Sequence, residues 1–66
     1  MMVQVNGESA DPRSATTVAE LAELYGLHPN SILIEHNGVS LHQREWKATA
    51  LAENDRIEFV HVVAGG

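Results

Sequence analysis

No cysteine occurs in the 66 residues, which excludes a disulfide staple and any thiolate-ligated zinc or iron–sulfur centre. Basic residues are scarce. Four Lys and Arg stand against nine Asp and Glu, for a formal net charge of −5. Nucleic-acid binding is not expected of such a chain, because neutralising phosphates takes clustered cations. A basic protein partner is compatible with the charge, and so is plain solubility. The first residues lack a basic segment followed by an apolar one, so no signal peptide is read. No apolar run approaches the ~20 residues of a membrane span. Internal repeats, linkers and low-complexity stretches are also missing. The expectation is a cytoplasmic protein made of one domain over residues 1–66. A chain this short buries only about 60% of the surface it exposes when unfolded, and its stability should be on the order of 3–10 kcal/mol.

What is present is a set of clear local signals. Val3 and Val5 alternate with polar residues, as in a half-buried strand, and Asn6-Gly7 is the dipeptide of a tight hairpin turn. Glu8 to Asp11 reads as a short returning strand. Thr17-Val18-Ala19-Glu20 matches a capping box, in which the Thr17 hydroxyl accepts from the Glu20 amide and the Glu20 carboxylate reaches back to Thr17. Val18, Leu21, Ala22 and Tyr25 form one apolar stripe with Leu24 beside it, while Glu20 and Glu23 point away. Gly26 stands where a left-handed cap is expected and Leu27 where a residue folds back on the last turn. Pro29 blocks continuation. A helix from about Thr17 to Tyr25 is therefore predicted.

Ser31 to His36 reads as the next strand and Asn37-Gly38 as a second turn, followed by a short strand Val39–Leu41. Arg44-Glu45-Trp46 predicts a helical turn that lays Trp46 on the core. Glu53-Asn54-Asp55 is a polar turn, and Arg56 to Val63 is the final strand. One helix covers one face of a sheet, so Val3 and Val5 in the first strand and Ile57 and Phe59 in the last face the same core. A central pairing of those two strands under the helix is the β-grasp, or ubiquitin-like, arrangement: an α+β fold with a mixed five-stranded sheet and one main helix on one face. The predicted core is Val3, Val5, Val18, Leu21, Ile34, Leu41, Leu51, Ile57 and Phe59, with Trp46 mostly buried.

If Ile57 and Phe59 point inward, Val60 and Val62 point outward. Leu33 does the same if Ile32 and Ile34 point in. Three aliphatics on the open face of the sheet make a candidate interaction patch. The sequence then runs into Ala64-Gly65-Gly66, a tail of almost no side chain, which is expected to be flexible over residues 64–66. Glycine reaches backbone conformations closed to other residues and enters slots too narrow for a side chain. The reactive group at its tip is expected to be the Gly66 α-carboxylate.

Taken in order, six stretches resemble the ThiS family of small sulfur carriers of thiamine biosynthesis. They are the strand ending Asn6-Gly7, Thr17-Val18-Ala19-Glu20-Leu21, Ile34-Glu35-His36-Asn37-Gly38, Arg44-Glu45-Trp46, Asp55-Arg56-Ile57-Glu58, and the terminal Ala64-Gly65-Gly66. Two positions depart from the family's usual pattern: His42 where proline is common, and His36 where an apolar residue is common. The resemblance implies a carrier that is not itself an enzyme and binds no cofactor. An E1-like adenylating enzyme of the ThiF type would activate the Gly66 carboxylate with ATP. A sulfur donor protein would supply sulfur to make a thiocarboxylate, and a thiazole synthase of the ThiG type would accept it. Leu33, Val60, Val62, Ala64 and Gly65 are the expected partner-binding residues. The lack of cysteine fits, since such a carrier holds sulfur on its own terminus.

Three other readings stand beside this one. They are a MoaD-like carrier serving molybdopterin or another sulfur-bearing product, a ubiquitin-like modifier that forms amides with lysines, and a β-grasp binding module with an incidental Gly-Gly. His28, His36, His42 and His61 show no paired metal-ligand spacing and are expected to be surface or hydrogen-bonded residues. Trp46 reads as a core anchor more readily than as a stacking platform.

Overall fold

Two Asn-Gly dipeptides fold the chain into its hairpins. Asn6 and Gly7 take φ of 51° and 83°, and Asn37 and Gly38 take 52° and 86°. Paired positive φ values are those of a type I′ turn, whose twist matches the strands it joins. The first turn joins β1 (Val3–Val5) to β2 (Glu8–Ala10) and the second joins β3 (Ile32–His36) to β4 (Val39–Leu41). The last strand, β5 (Arg56–His61), lies between the hairpins, parallel to β1 and antiparallel to β3. The sheet order is β2-β1-β5-β3-β4, the mixed five-stranded sheet expected from the sequence. This computed structural model describes residues 1–62. The expected extension of the last strand to Val63, and the tail Ala64, Gly65 and Gly66, lie outside the described residues.

The helix α1 spans Val18–Leu24 with Thr17 as its N-cap. Thr17 Oγ1 accepts from the Glu20 N–H at 3.2 Å. The other half of the expected capping box differs. Glu20 Oε1 accepts from the Thr16 N–H at 2.7 Å and from the Thr16 hydroxyl at 2.8 Å, one residue earlier than Thr17. Thr16 offers two donors to one carboxylate oxygen, and that pair wins over a single amide. These bonds, the Thr16 N–H foremost, hold the Glu20 carboxyl below the usual range. At the other end the Leu27 N–H donates to Ala22 O at 3.1 Å and the Gly26 N–H to Glu23 O at 2.9 Å. With Gly26 at φ 67°, this is the Schellman closure. A 3₁₀ turn, Pro29–Ser31, then leads into β3.

Val18, Leu21 and Ala22 of the helix are buried against Val3, Val5, Ile32, Ile34, Ile57 and Phe59 of the sheet, with Trp46 closing one side from the 3₁₀ turn Gln43–Ala48. The inward register of β5 is the one alternation predicts. Two predicted core residues, Leu41 and Leu51, are only partly buried at the margin: one sits on the edge strand β4, the other in the loop before β5. The apolar stripe of the helix is also shorter than its pattern. Leu24 and Tyr25 are exposed. The Tyr25 ring lies 5.5 Å from that of Phe59, tilted by 55°, so one side packs. The helix ends there and no further turn covers the other side. Among the described residues no helix is long and apolar enough to cross a membrane.

Candidate functional site

The strand β5 organises the site because its two faces and two ends do different things. Ile57 and Phe59 are buried under the helix, while Val60 on the same strand is 44% exposed. Leu33 is directly opposite Val60 in the β3–β5 ladder and is 53% exposed. Val62 is 48% exposed, and its N–H donates to Ser31 O at 2.8 Å, which continues the ladder past the last paired residue. Leu33, Val60 and Val62 therefore share the open face at the end of β5 that leads toward the tail, as the sequence predicts. Below them on that face, Glu35 and Glu58 stand opposite each other and Gln4 is opposite Arg56. The patch is apolar near the tail and polar away from it. The other expected partner-binding residues, Ala64 and Gly65, and the expected reactive Gly66 lie outside the described residues.

The opposite end of β5 carries a polar cluster that the sequence reading missed. Asp55, read as part of a polar turn, is buried. Its Oδ2 accepts from the Ala52 N–H at 2.9 Å and sits 2.8 Å from His36 Nε2. Its Oδ1 accepts from Asn37 Nδ2 at 3.1 Å. An ionised carboxylate only accepts hydrogen bonds, so Nε2 of His36 carries the proton. Burial alone would raise the Asp55 pKa. The hydrogen bonds from His36, Asn37 and Ala52, with the attraction of His36, outweigh it and hold the carboxyl below its ordinary range.

The same asparagine also reaches β5. Asn37 Oδ1 accepts from the Arg56 N–H at 2.8 Å, and its own N–H donates to Arg56 O at 2.8 Å. Asn6 acts similarly from the first hairpin, with Oδ1 accepting from the Phe59 N–H at 2.7 Å and its N–H donating to Ile57 O at 2.9 Å. The turn asparagines thus clamp β5 from both sides. The signal that pointed there was His36: by parity it faces the helix side of β3, where a polar ring needs a partner.

The remaining histidines do not converge. His28 Nδ1 accepts from the Asn30 N–H at 3.2 Å and caps the 3₁₀ turn. His42 precedes the next such turn, its N–H donating to Glu45 Oε1 at 2.7 Å. His61 is exposed on β5. Among the described residues no group of three or more His, Cys, Asp or Glu is placed to hold a metal ion.

A five-stranded mixed sheet in this order, with one helix across one face and β5 central, defines the β-grasp class. The family model of the ThiS family matches residues 2–66, and the chain belongs to that family. It is 30% identical over 66 residues to the sulfur carrier protein ThiS of Bacillus subtilis, covering 98% of this chain and 100% of that one. It is 32% identical to a thiazole synthase of Magnetococcus marinus over the whole of this chain but only 20% of that protein's length. The crystal structure of a thiamine biosynthesis protein (ThiS) from Geobacter metallireducens superposes with a TM-score of 0.83 at 28% identity, with all of both chains covered.

Proposed function

We propose that this protein carries sulfur as a thiocarboxylate on the Gly66 carboxylate and delivers it for thiazole formation in thiamine biosynthesis. The sulfur-carrier role follows from membership in the ThiS family; the residues and steps are the proposal. The observation that carries it is the arrangement of β5. A strand anchored by Asp55, Asn6 and Asn37 leads into an exposed apolar face at Val60 and Val62, and the sequence reaches Ala64-Gly65-Gly66 two residues after Val62.

A carboxylate resists nucleophiles because its charge shields the carbonyl carbon. An adenylating enzyme of the ThiF type would let the Gly66 carboxylate attack the α-phosphate of ATP, releasing pyrophosphate and leaving an acyl adenylate. Sulfur at the sulfide level, from a donor protein, would then add to the acyl carbon. AMP departs with one former carboxylate oxygen, and a thiocarboxylate remains. Two glycines leave that carbon unhindered and let the enzyme's backbone close on it. Leu33, Val60 and Val62 would dock the domain, with Ala64 and Gly65 threading the enzyme's slot. A thiazole synthase would use the same face to take the sulfur. A relative bearing that name in which a similar segment occupies a fifth of the length supports this pairing. ATP is needed only by the adenylating partner.

The test is intact-mass spectrometry after incubation with the adenylating enzyme, ATP and a sulfur donor. The expected product gains the mass of one oxygen-to-sulfur exchange, localised to the last residue. A covalent link to lysine, or sulfur uptake by a chain lacking Gly66, would overturn the reading.

A further inference from the structure

Among the described residues, the β1-side edge of β5 has no neighbouring strand beyond Ile57. In an extended strand the N–H and C=O of one residue point to one side and those of the next to the other. The Val62 N–H bonds to Ser31 O on the β3 side. The Ile57 C=O and Phe59 N–H bond to Asn6 on the β1 side. By alternation, the C=O of Phe59 and both backbone groups of His61 face the β1 side. The pairing of β1 with β5 stops at Val5 opposite Ile57, and the Asn6-Gly7 turn sends the chain back as β2. Among the described residues nothing bonds to Phe59 O, His61 N or His61 O.

Beside this edge, on the helix side of the sheet, runs a groove of about 320 Å³ whose walls include Asn6, Glu8, Tyr25, Leu27, Phe59 and His61. Its lining has one carboxylate, Glu8, and no Lys or Arg. A free strand edge specifies its occupant by its backbone groups: another extended segment.

We propose that this edge takes up an extended, basic segment of the adenylating enzyme as an added strand, parallel to β5 and in line with β1. The identity of that partner rests on the carrier reading above. A single residue set opposite Val60 satisfies both inner groups, its N–H donating to Phe59 O and its C=O accepting from the His61 N–H. A flanking Lys or Arg lays its aliphatic stem over Tyr25 and Leu27 and brings its head to Glu8. A second copy of this chain is the poorer occupant, because each copy carries a net charge of −5. Such a strand bonds β5 on its open side while the Leu33–Val60 face docks independently, so main-chain geometry fixes the direction in which the chain leaves Val62.

Amide hydrogen exchange with and without the adenylating enzyme tests this on the unmodified protein. The His61 N–H exchanges freely in the isolated chain and becomes protected in the complex. The 66 residues are also within reach of total synthesis, so an ester can replace the Val60–His61 amide and delete that one donor. The ester chain should keep its thermal midpoint within a few degrees and bind the enzyme about fivefold to tenfold more weakly, the worth of one hydrogen bond. Equal exchange of His61 in both states, or unchanged affinity of the ester chain, overturns the proposal. So does protection of His61 in a homodimer without enzyme, which assigns the edge to a second copy. Thiocarboxylate formation without His61 protection sinks the added strand and leaves the carrier reading intact. Protection without thiocarboxylate does the reverse, and no binding at all removes both.

Discussion

At Arg56 the last strand is bonded on both sides; a few residues later it has one neighbour among the described residues. The first end is held by Asn37 through both backbone groups of Arg56, by the Gln4 N–H on Asp55 O at 2.8 Å, and by the buried Asp55 carboxylate that gathers His36, Asn37 and Ala52. Among the described residues the second end has β3 alone beside it, with Val60 and Val62 exposed. The apolar side chains face water at the end where the backbone is least committed, and the charged side chain is buried at the end where it is most committed. That inversion of the usual rule fits the proposed role, in which the strand stays fixed to its domain while its far end is handed to another protein. Anchoring needs satisfied, directional bonds, and delivery needs surface that gains by being covered.

The comparison breaks most completely at the tail. On the proposed adenylation of Gly66, deleting that residue withdraws the carboxylate by ~3.3 Å, and adding a residue after it would push the carboxylate past the ATP α-phosphate. Because reacting groups must be held in close alignment, both variants should give no detectable sulfur uptake by intact mass. Their melting curves should match the parent, since neither touches the anchored end.

At that anchored end, Asp55→Ala removes an acceptor shared by three donors. It should cost about 1.5–3 kcal/mol by chemical denaturation, a large part of a stability on the order of 3–10 kcal/mol. The effect has a pH signature. The folded pKa of Asp55 lies below its ordinary 3.8, so its contribution is present above that value and is lost as pH falls through the folded value. The parent should lose stability on acidification over that range and Asp55→Ala should lose less. Equal acid limbs would show that the carboxylate is not the anchor.

Val60→Asp probes the delivering end. It puts a charge into the open face without disturbing the core and should weaken binding to the adenylating enzyme by at least about 1 kcal/mol, with an unchanged denaturation midpoint. A titration showing parent-like affinity would remove Leu33, Val60 and Val62 from the docking surface. The smallest effect is remote from both ends. Thr17→Ala deletes the cap of α1 and should cost about 1 kcal/mol while leaving sulfur uptake and partner affinity as they were.

What could be read in advance follows the range of the interactions. Asn6-Gly7 and Asn37-Gly38 announce their turns because positive φ at two successive residues is a local demand few dipeptides meet. Thr17 and Gly26 mark the helix ends for similarly local reasons. Alternation along β5 then determined which of its residues face solvent, Val60 among them, because a strand's parity leaves one choice once Ile57 and Phe59 are inside. The stripe on α1 overstated burial at Tyr25 because periodicity tells which face is apolar, not how far the sheet beneath extends. The reach of Glu20 to Thr16 instead of Thr17 turned on two donors at Thr16 against one amide at Thr17, which the motif by itself does not separate. For Asp55 the sequence offered only the inward-facing His36, a ring in need of a partner, and not the identity of that partner. Its partner His36 is 19 residues away, and only the antiparallel pairing of β3 with β5, which sets His36 opposite Ile57, brings the ring to the carboxylate. By itself the sequence determined the five strands, the main helix, their order and the inward faces of β1, β3 and β5, since turn chemistry and hydrophobic period act over a few residues. The tertiary structure alone decided that Asp55 is buried and satisfied and that, among the described residues, the Phe59–His61 edge has no partner, because both depend on where strands distant in sequence begin and stop running side by side.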